Sequence, residues 1–443
     1  MKIAVIGTGI SGMVAARLLA DEHDVSVFEA GQYVGGHANT VEVRMGGRGY
    51  PVDTGFMVFN ERTYPSFSRM LELLGVPSRG SEMSFSVSCE RTGLEYQGGS
   101  LAGLFAQPKN LARRSFHRML REILRFNRQA PRLLDGGDET TTLGAYLREN
   151  RYGGDFVEHY LLPLGASIWS TPPGQFLHFP ARYTVGFLRN HGLLQIFGRP
   201  QWKTVVGGSA RYVEALMRPL ADCVRLNCPV DRVARHAGHV AITPRGCPPE
   251  SFDAVVLAAH ADQSLAMLAD PSPAERNILT SIPYQANEVV LHTDISLLPR
   301  ARRAWAAWNY RIPARGGQAV SITYDLSRLQ GHASPGPILE TLNPTTAIDA
   351  AQILDRITYH HPILSVEAIE AQRRYDEING RRRTYFCGAY WGYGFHEDGV
   401  RSALAVARHF GKDLESCLAA STKVASVTGE RSPSGMRSLT ASV

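Results

Sequence analysis

The sequence predicts an α/β fold built on a Rossmann-like dinucleotide-binding domain, accompanied by an α+β remainder, and three observations carry that prediction. The chain opens on MKIAVIGTGISGMVAARLLADEHDVSVFEA, which has the strand, turn, helix, strand order of a βαβ unit. Gly7, Gly9 and Gly12 occupy the turn with GxGxxG spacing. Farther on, NEVVLHTDISLLP, AWAAWNYRIP and GQAVSITYDLSRL alternate as antiparallel strands do, whereas residues 81–200 are largely helical in pattern.

Each part of the opening unit has a physical role. The run from Ile3 to Ile6 suits a buried parallel strand, and Val25 to Phe28 repeats it. Gly7 permits the tight turn, Gly9 lets the backbone approach a pyrophosphate, and Gly12 lets helix and strand pack closely. The stretch from Met13 to Leu19 supplies the helix whose N-terminus faces the anion. Glu29, at the tip of the second strand, is placed to bond a ribose hydroxyl. A purely structural glycine turn is the competing reading, and strand, helix and acid in register count against it.

Composition bounds the rest. The chain has 443 residues, 44% hydrophobic and 20% charged, as expected of a globular protein of two or three domains. Cys89, Cys223, Cys228, Cys247, Cys387 and Cys417 include no CxxC pair, so reduced thiols are expected and a metal site is not. The opening lacks the charged, apolar and cleavage regions of a secretory signal, and no apolar run reaches about 18 residues. A cytoplasmic location is expected.

Two further stretches identify the dinucleotide. EAGQYVGGHANTV carries the pair Gly35 and Gly36, and YPVDTGFMVFN carries Asp53 and Gly55. With them the chain resembles the superfamily of flavin-containing amine oxidases, protoporphyrinogen oxidases and phytoene desaturases. VVGGSARYVEALMRPLADCVRLNCPVDRVAR is similar to its middle segment, FDAVVLAAHADQSLAML to its next buried strand, and YFCGAYWGYGFHEDGVRSAL to its last cofactor motif. The resemblance implies an amine-oxidase-like architecture and non-covalent FAD. It places Gly7, Gly9, Ser11, Gly12, Glu29, Ala30, Gly35, Gly36, His37, Asp53, Thr54, Gly55 and Phe56 at the cofactor. Val230 is implied at the adenine, and Gly388, Glu397, Asp398 and Gly399 near the ribityl chain and flavin. One departure is Gly388-Ala389, where the superfamily usually carries Gly-Asp.

The same resemblance implies a discontinuous FAD domain of residues 1–80, 201–287 and 379–411, with residues 81–200 and 288–378 forming the substrate domain. Residues 412–443, rich in serine and threonine, are expected to be a disordered tail. A closer likeness is to a bacterial family of predicted NAD/FAD-binding oxidoreductases, through VGGHANTV, IWSTPPGQFLHFPARYTVGFLRNHGLL, WKTVVGGSARYVEAL, TLNP and GRRRTYFCGAYWGYGFHEDGVRSAL. Their genes commonly lie beside a cyclopropane-fatty-acyl-phospholipid synthase-like methyltransferase. That association implies a fatty acyl or phospholipid substrate and a methyltransferase partner.

The candidate catalytic residues are His396, His191 and Trp169. His396 stands where amine oxidases carry a cage aromatic, and is a candidate proton acceptor or a cap within its motif. His191 and Trp169 lie in the family signature and read equally as pocket or packed core. Trp391 and Tyr393 offer flat walls. Lys203 is the nearest basic candidate for the superfamily's flavin-bonded lysine.

Charge is concentrated in one place. Residues 109–132 carry eight basic residues and one acid, a net of +7 against +6 for the whole chain. Arginines at 114, 118, 121, 125, 128 and 132 step by four and three along one helical stripe. An anionic membrane surface or a solvated face with carboxylate partners is the choice, and nucleic acid is not expected. The expected function is FAD-dependent desaturation of an unsaturated or methylated fatty acyl chain, with hydride passing to the flavin. Double-bond isomerisation, amine or porphyrinogen oxidation, and non-catalytic lipid presentation remain the alternatives.

Overall fold

The computed structural model describes residues 1–136, 140–314, 321–344, 346–418 and 437–441. One half of the molecule is built on a parallel sheet whose strands lie in the order Thr384–Phe386, Ala254–Leu257, Lys2–Ile6, Asp24–Phe28 and Val224–Arg225. The central strands KIAVI and AVVL are almost wholly buried, as they must be when both faces of a parallel sheet are covered. Helix Ile10–Leu19 is buried at every residue. It packs against helix His396–Arg408, where a Cβ on Gly399 would stand 2.6 Å from Ile10 Cγ2. That contact joins the first cofactor motif to the last. An antiparallel meander, Val230–Arg235, Val240–Pro244 and Glu250–Phe252, completes this half.

The other half is a seven-stranded sheet in the order Ile353–Pro362, Tyr284–His292, Leu339–Leu342, Ile322–Asp325, Trp308–Ile312, Phe85–Cys89 and Leu94–Gln97. Only Trp308–Ile312 and Phe85–Cys89 are parallel neighbours. Helices between residues 101 and 190 cover one side, among them Leu162–Trp169 and Ala181–Asn190. The expected boundary at 287/288 falls inside a strand. Tyr284–His292 is continuous because its pairing with Ile353–Pro362 begins at Tyr284.

The tail differs from expectation in two places. Leu414–Leu418 is a helix with Leu414, Cys417 and Leu418 buried, and the Cys417 carbonyl accepts a 3.0 Å hydrogen bond from Arg17. Ser438–Thr440 adds a parallel strand to Thr40–Met45, with Leu439 and Ala441 packed on the core. Both pieces are ordered because they bury apolar side chains that the polar composition around them obscures. Residues 419–436 and 442–443 lie outside the described residues.

Candidate functional site

The first wall of the site is the carboxyl edge of the parallel sheet, where open α/β sheets bind their ligands. Gly7 sits at φ +102°, and a Cβ there would meet the Ala258 carbonyl oxygen at 2.8 Å. A Cβ on Gly12 would stand 1.9 Å from the Gly7 carbonyl oxygen. Gly9 faces open space, so the helix N-terminus is uncovered at the point where a pyrophosphate must approach. Ser11 is buried beside it, close to Gly399. The Glu29 carboxylate accepts from the amides of Thr8 (2.9 Å) and Gly31 (2.7 Å), which aims it along the turn. Ala30 is exposed next to it. The chain at 225–228 lies alongside: the Cys228 amide donates to the Glu29 carbonyl and the Asn227 amide to the Gly31 carbonyl. Val230 follows two residues later at the start of its strand. A cradle with an open glycine, an uncovered helix start and an acid beyond the second strand fits the FAD dinucleotide.

The glycine pair closes onto this cradle. Gly35 (φ +129°) and Gly36 (φ +60°) carry backbone angles that side chains rarely adopt, and a Cβ on Gly36 would lie 3.2 Å from Gly9 Cα. His37 follows, and its carbonyl accepts from the Phe56 amide (2.8 Å). Gly55 lies directly beneath that carbonyl. Thr54 bonds Tyr359 Oη (3.0 Å) and Asn39.

Asp53 has a different job from the one implied for it. Its carboxylate accepts from the Ser209 amide (2.8 Å), from Ser209 Oγ (2.7 Å) and from Thr40 Oγ1 (2.5 Å). It therefore latches the DTG segment to the start of helix Ala210–Met217. Burial raises its pKa to about 6, against these hydrogen bonds.

The second wall is the last motif. The Gly388 amide donates to Ser402 Oγ (2.9 Å). Glu397 accepts from the amides of Ser66 (3.2 Å) and Phe67 (2.9 Å), capping helix Pro65–Leu73, and burial raises its pKa. Asp398 accepts from the Phe395 amide (3.1 Å), and burial raises it to about 6. Between this motif, the 62–66 loop and the end of helix Ala181–Asn190 lies a cavity of about 410 Å³. Tyr64, His191, Tyr393 and Phe395 form its aromatic lining, and Arg62, Arg401, Glu397 and Asp398 its charged part.

The three catalytic candidates separate here. His191 lines the cavity. Its ring stacks on Phe187 at 3.8 Å, and Nδ1 donates to the Phe187 carbonyl at 3.0 Å, which leaves Nε2 as the acceptor. Burial lowers its pKa to about 4. His396 does not line the cavity. It stacks on Phe56 at 3.6 Å, bonds Tyr212 Oη through Nε2 at 3.0 Å, and is lowered by burial to about 3. The expected proton-acceptor role is therefore corrected: the ring is enclosed by Phe56, Phe67 and Tyr212, on the side where the cofactor motifs meet. Trp169 stands a layer back, 4.7 Å from Phe187 and stacked on Phe176. It packs the wall behind His191. Lys203 is ion-paired with Glu61.

Sequence reasoning missed Arg62 and Tyr64, which carry no motif, and Arg401, which lies within the last cofactor motif. It also missed His260, although its place just after the buried strand in AVVLAAH was a usable signal, since that is the ligand-binding end of a parallel strand.

A βαβ cradle, a glycine pair closing on it and a last motif packed against its helix define an FAD-dependent oxidoreductase. The chain belongs to the flavin containing amine oxidoreductase family, whose profile matches residues 10–303. A Mycobacterium tuberculosis protein provisionally named flavin-containing monoamine oxidase AofH is 26% identical over 382 residues, covering 80% of this chain and 77% of its own. Among solved structures, the CLA-producing fatty acid isomerase from P. acnes superposes with a TM-score of 0.63 at 17% identity, covering 92% of this chain and 98% of that one. Putrescine oxidase bound to putrescine gives 0.66 at 15% identity, with coverage of 93% and 99%. These two likenesses establish the shared fold. Among the described residues no helix is long and apolar enough to cross a membrane.

Proposed function

We propose that this oxidoreductase removes two hydrogens from an unsaturated or methylated fatty acyl chain, free or within a phospholipid. The observation that carries the reading is the cavity, which joins aromatic walls to a pair of arginines. Flat apolar walls suit a methylene chain, and a guanidinium pair suits a carboxylate or phosphate. The two carboxylates present are already spent on backbone amides, and burial favours their neutral form. That disfavours an ammonium substrate.

Bound FAD supplies the two-electron acceptor, held by Gly7, Gly9, Ser11, Gly12, Glu29, Ala30, Gly35, Gly36, His37, Thr54, Gly55, Phe56, Val230, Gly388 and Gly399. His191 Nε2 takes the proton. Its Nδ1–H bond to the Phe187 carbonyl fixes the tautomer and the ring plane. Tyr64, Tyr393 and Phe395 exclude water, and Trp169 supports Phe187 from behind.

The basic helix, Arg114–Gln129, supports delivery from an anionic membrane face. Phe116, Met119 and Phe126 face the core, and Arg114, Arg121 and Arg128 are exposed beside Leu124 at 52%. Arg118 is engaged by Asp155 and Arg125 by the Tyr152 ring, so only part of the stripe serves such a surface. A methyltransferase that supplies methylated chains at the inner face of the membrane is the partner this reading fits.

The test is anaerobic mixing of the flavoprotein with unsaturated and methyl-branched lipids, following flavin bleaching near roughly 450 nm and lipid mass. Bleaching with a loss of two hydrogens supports the proposal; bleaching by diamines alone overturns it. A double-bond shift is the second reading, favoured by the fold shared with the P. acnes isomerase. It gives unchanged lipid mass with moved double bonds.

A further inference from the structure

Four imidazoles that serve neither the cavity nor the core gather at the mouth of the dinucleotide cradle. His37 and His361 have ring centroids 5.4 Å apart, and His260 and His360 6.1 Å apart. Two aromatic rings hold them: Tyr359 stacks on His37 at 4.6 Å, and Tyr284 on His260 at 4.3 Å. The four come from three separate pieces of chain. His37 follows Gly36, which abuts Gly9 of the GxGxxG turn. His260 follows Ala258 and Ala259, whose backbone crowds Gly7 on the other side of that turn. His360 and His361 end strand Ile353–Pro362 of the opposite sheet, so the cluster spans both halves of the molecule.

The cluster is polar and incompletely satisfied. His37 Nε2 is buried without a hydrogen-bond partner, a costly state for an imidazole that has no ligand to meet. His361 Nδ1 accepts from Asn287 Nδ2 at 3.1 Å, which leaves its other nitrogen to carry a hydrogen. Among the described residues no group of three or more His, Cys, Asp or Glu is arranged to hold a metal ion. An anion at the glycine turn is the remaining ligand of matching chemistry.

We propose that His37, His260, His360 and His361 bind the diphosphate of FAD as a protonatable clamp, in place of a permanent cation, so that cofactor binding takes up protons. Without the anion, burial foremost keeps the three enclosed rings neutral: His37 is held well below its ordinary value, with repulsion from neighbouring imidazoles second, and His260 and His361 fall to about 4, while His360 is exposed at the rim. The other titratable groups facing the cluster are Asp262 beside His260, His396 opposite His37, and the phenols of Tyr33, Tyr284 and Tyr359. Asp262 alone favours protonation, and acts on one ring. A buried diphosphate reverses the balance, because two negative charges within hydrogen-bond reach stabilise imidazolium over imidazole.

The sign follows from linkage. Bound FAD would raise the pKa values of the rings it touches, so affinity is greatest below the pKa values of the FAD-free protein and falls as pH rises through those of the complex. Each proton coupled to binding weakens affinity about ten-fold per pH unit in that window.

The test is dissociation of FAD from the holoenzyme on dilution, followed by flavin fluorescence between pH 5.5 and 8.5. Wild type is expected to lose FAD progressively as pH rises. His37→Gln should bind FAD more weakly at pH 5.5 and converge on wild type at pH 8.5. His37→Arg, which carries a permanent charge, should retain tight binding with a shallower slope, and its retained flavin shows that the fold tolerates change there. A pH-independent affinity in wild type overturns the proposal, as does a slope that neither variant alters. The readout is cofactor affinity, so either result is independent of the substrate turned over.

Discussion

The two walls of the cleft are built by different means. The parallel-sheet edge presents backbone, with Gly7, Gly9, Gly12, Gly35 and Gly36 at positions where side chains are absent. The cavity presents side chains from residues 62–66, 190–191 and 393–401. A backbone cradle leaves glycines at fixed spacing in the sequence, whereas a side-chain cavity assembled by tertiary packing is built from residues distant along the chain.

The sharpest way to break the first wall is Gly12→Val. Its Cβ would stand 1.9 Å from the Gly7 carbonyl, so the turn must open. We expect protein without bound flavin, seen as a missing visible spectrum, and a stability loss of about 3 kcal/mol or more by chemical denaturation. The second wall should break without loss of colour. His191→Phe keeps the ring stack on Phe187 and removes the acceptor, so turnover should fall roughly 10²–10⁴-fold at unchanged flavin content. Unchanged turnover would remove His191 from the chemistry.

His396 distinguishes the two walls by pH. Its imidazole falls from 6.5 to about 3 on burial, so the folded state binds a proton less readily than the unfolded one. Stability is therefore complete above pH 6.5 and is lost as pH falls toward 3, by up to about 1.4 kcal/mol per pH unit. In His396→Phe the urea-derived slope between pH 6.5 and 4.5 should be shallower by one proton. An unchanged slope would mean that the ring is accessible after all. The smallest effect is expected outside the cleft. Charge reversal at Arg114, Arg121 and Arg128 should weaken flotation on anionic vesicles by about 1 kcal/mol per residue and leave turnover of a soluble substrate intact.

The same contrast explains what was legible in the chain. The βαβ unit is readable because its first strand is a continuous apolar run and Gly7, Gly9 and Gly12 keep the GxGxxG spacing. Strand Tyr284–His292 begins three residues before the alternating stretch NEVVLHTDISLLP, because Tyr284 and Gln285 are half-buried and Ala286 is exposed, which breaks the apolar pattern. His396, expected as the acceptor, is enclosed by aromatic rings while His191 faces the cavity, since a motif gives a residue's place along a helix and not the rings that enclose it. Arg62 and Arg401 were invisible for a related reason: their meaning lies in facing one cavity across more than 300 residues of chain. The histidine cluster leaves no mark in the sequence, because His37 and His260 come from segments far along the chain from His360 and His361.

A crystal structure of the holoenzyme soaked with a monounsaturated fatty acid tests the account most directly. The account predicts the acyl chain against Tyr64, Tyr393 and Phe395, with its carboxylate at Arg62 or Arg401 and its reacting carbon facing His191 Nε2. An acyl chain bound elsewhere, or His396 rather than His191 at the reacting carbon, would contradict it.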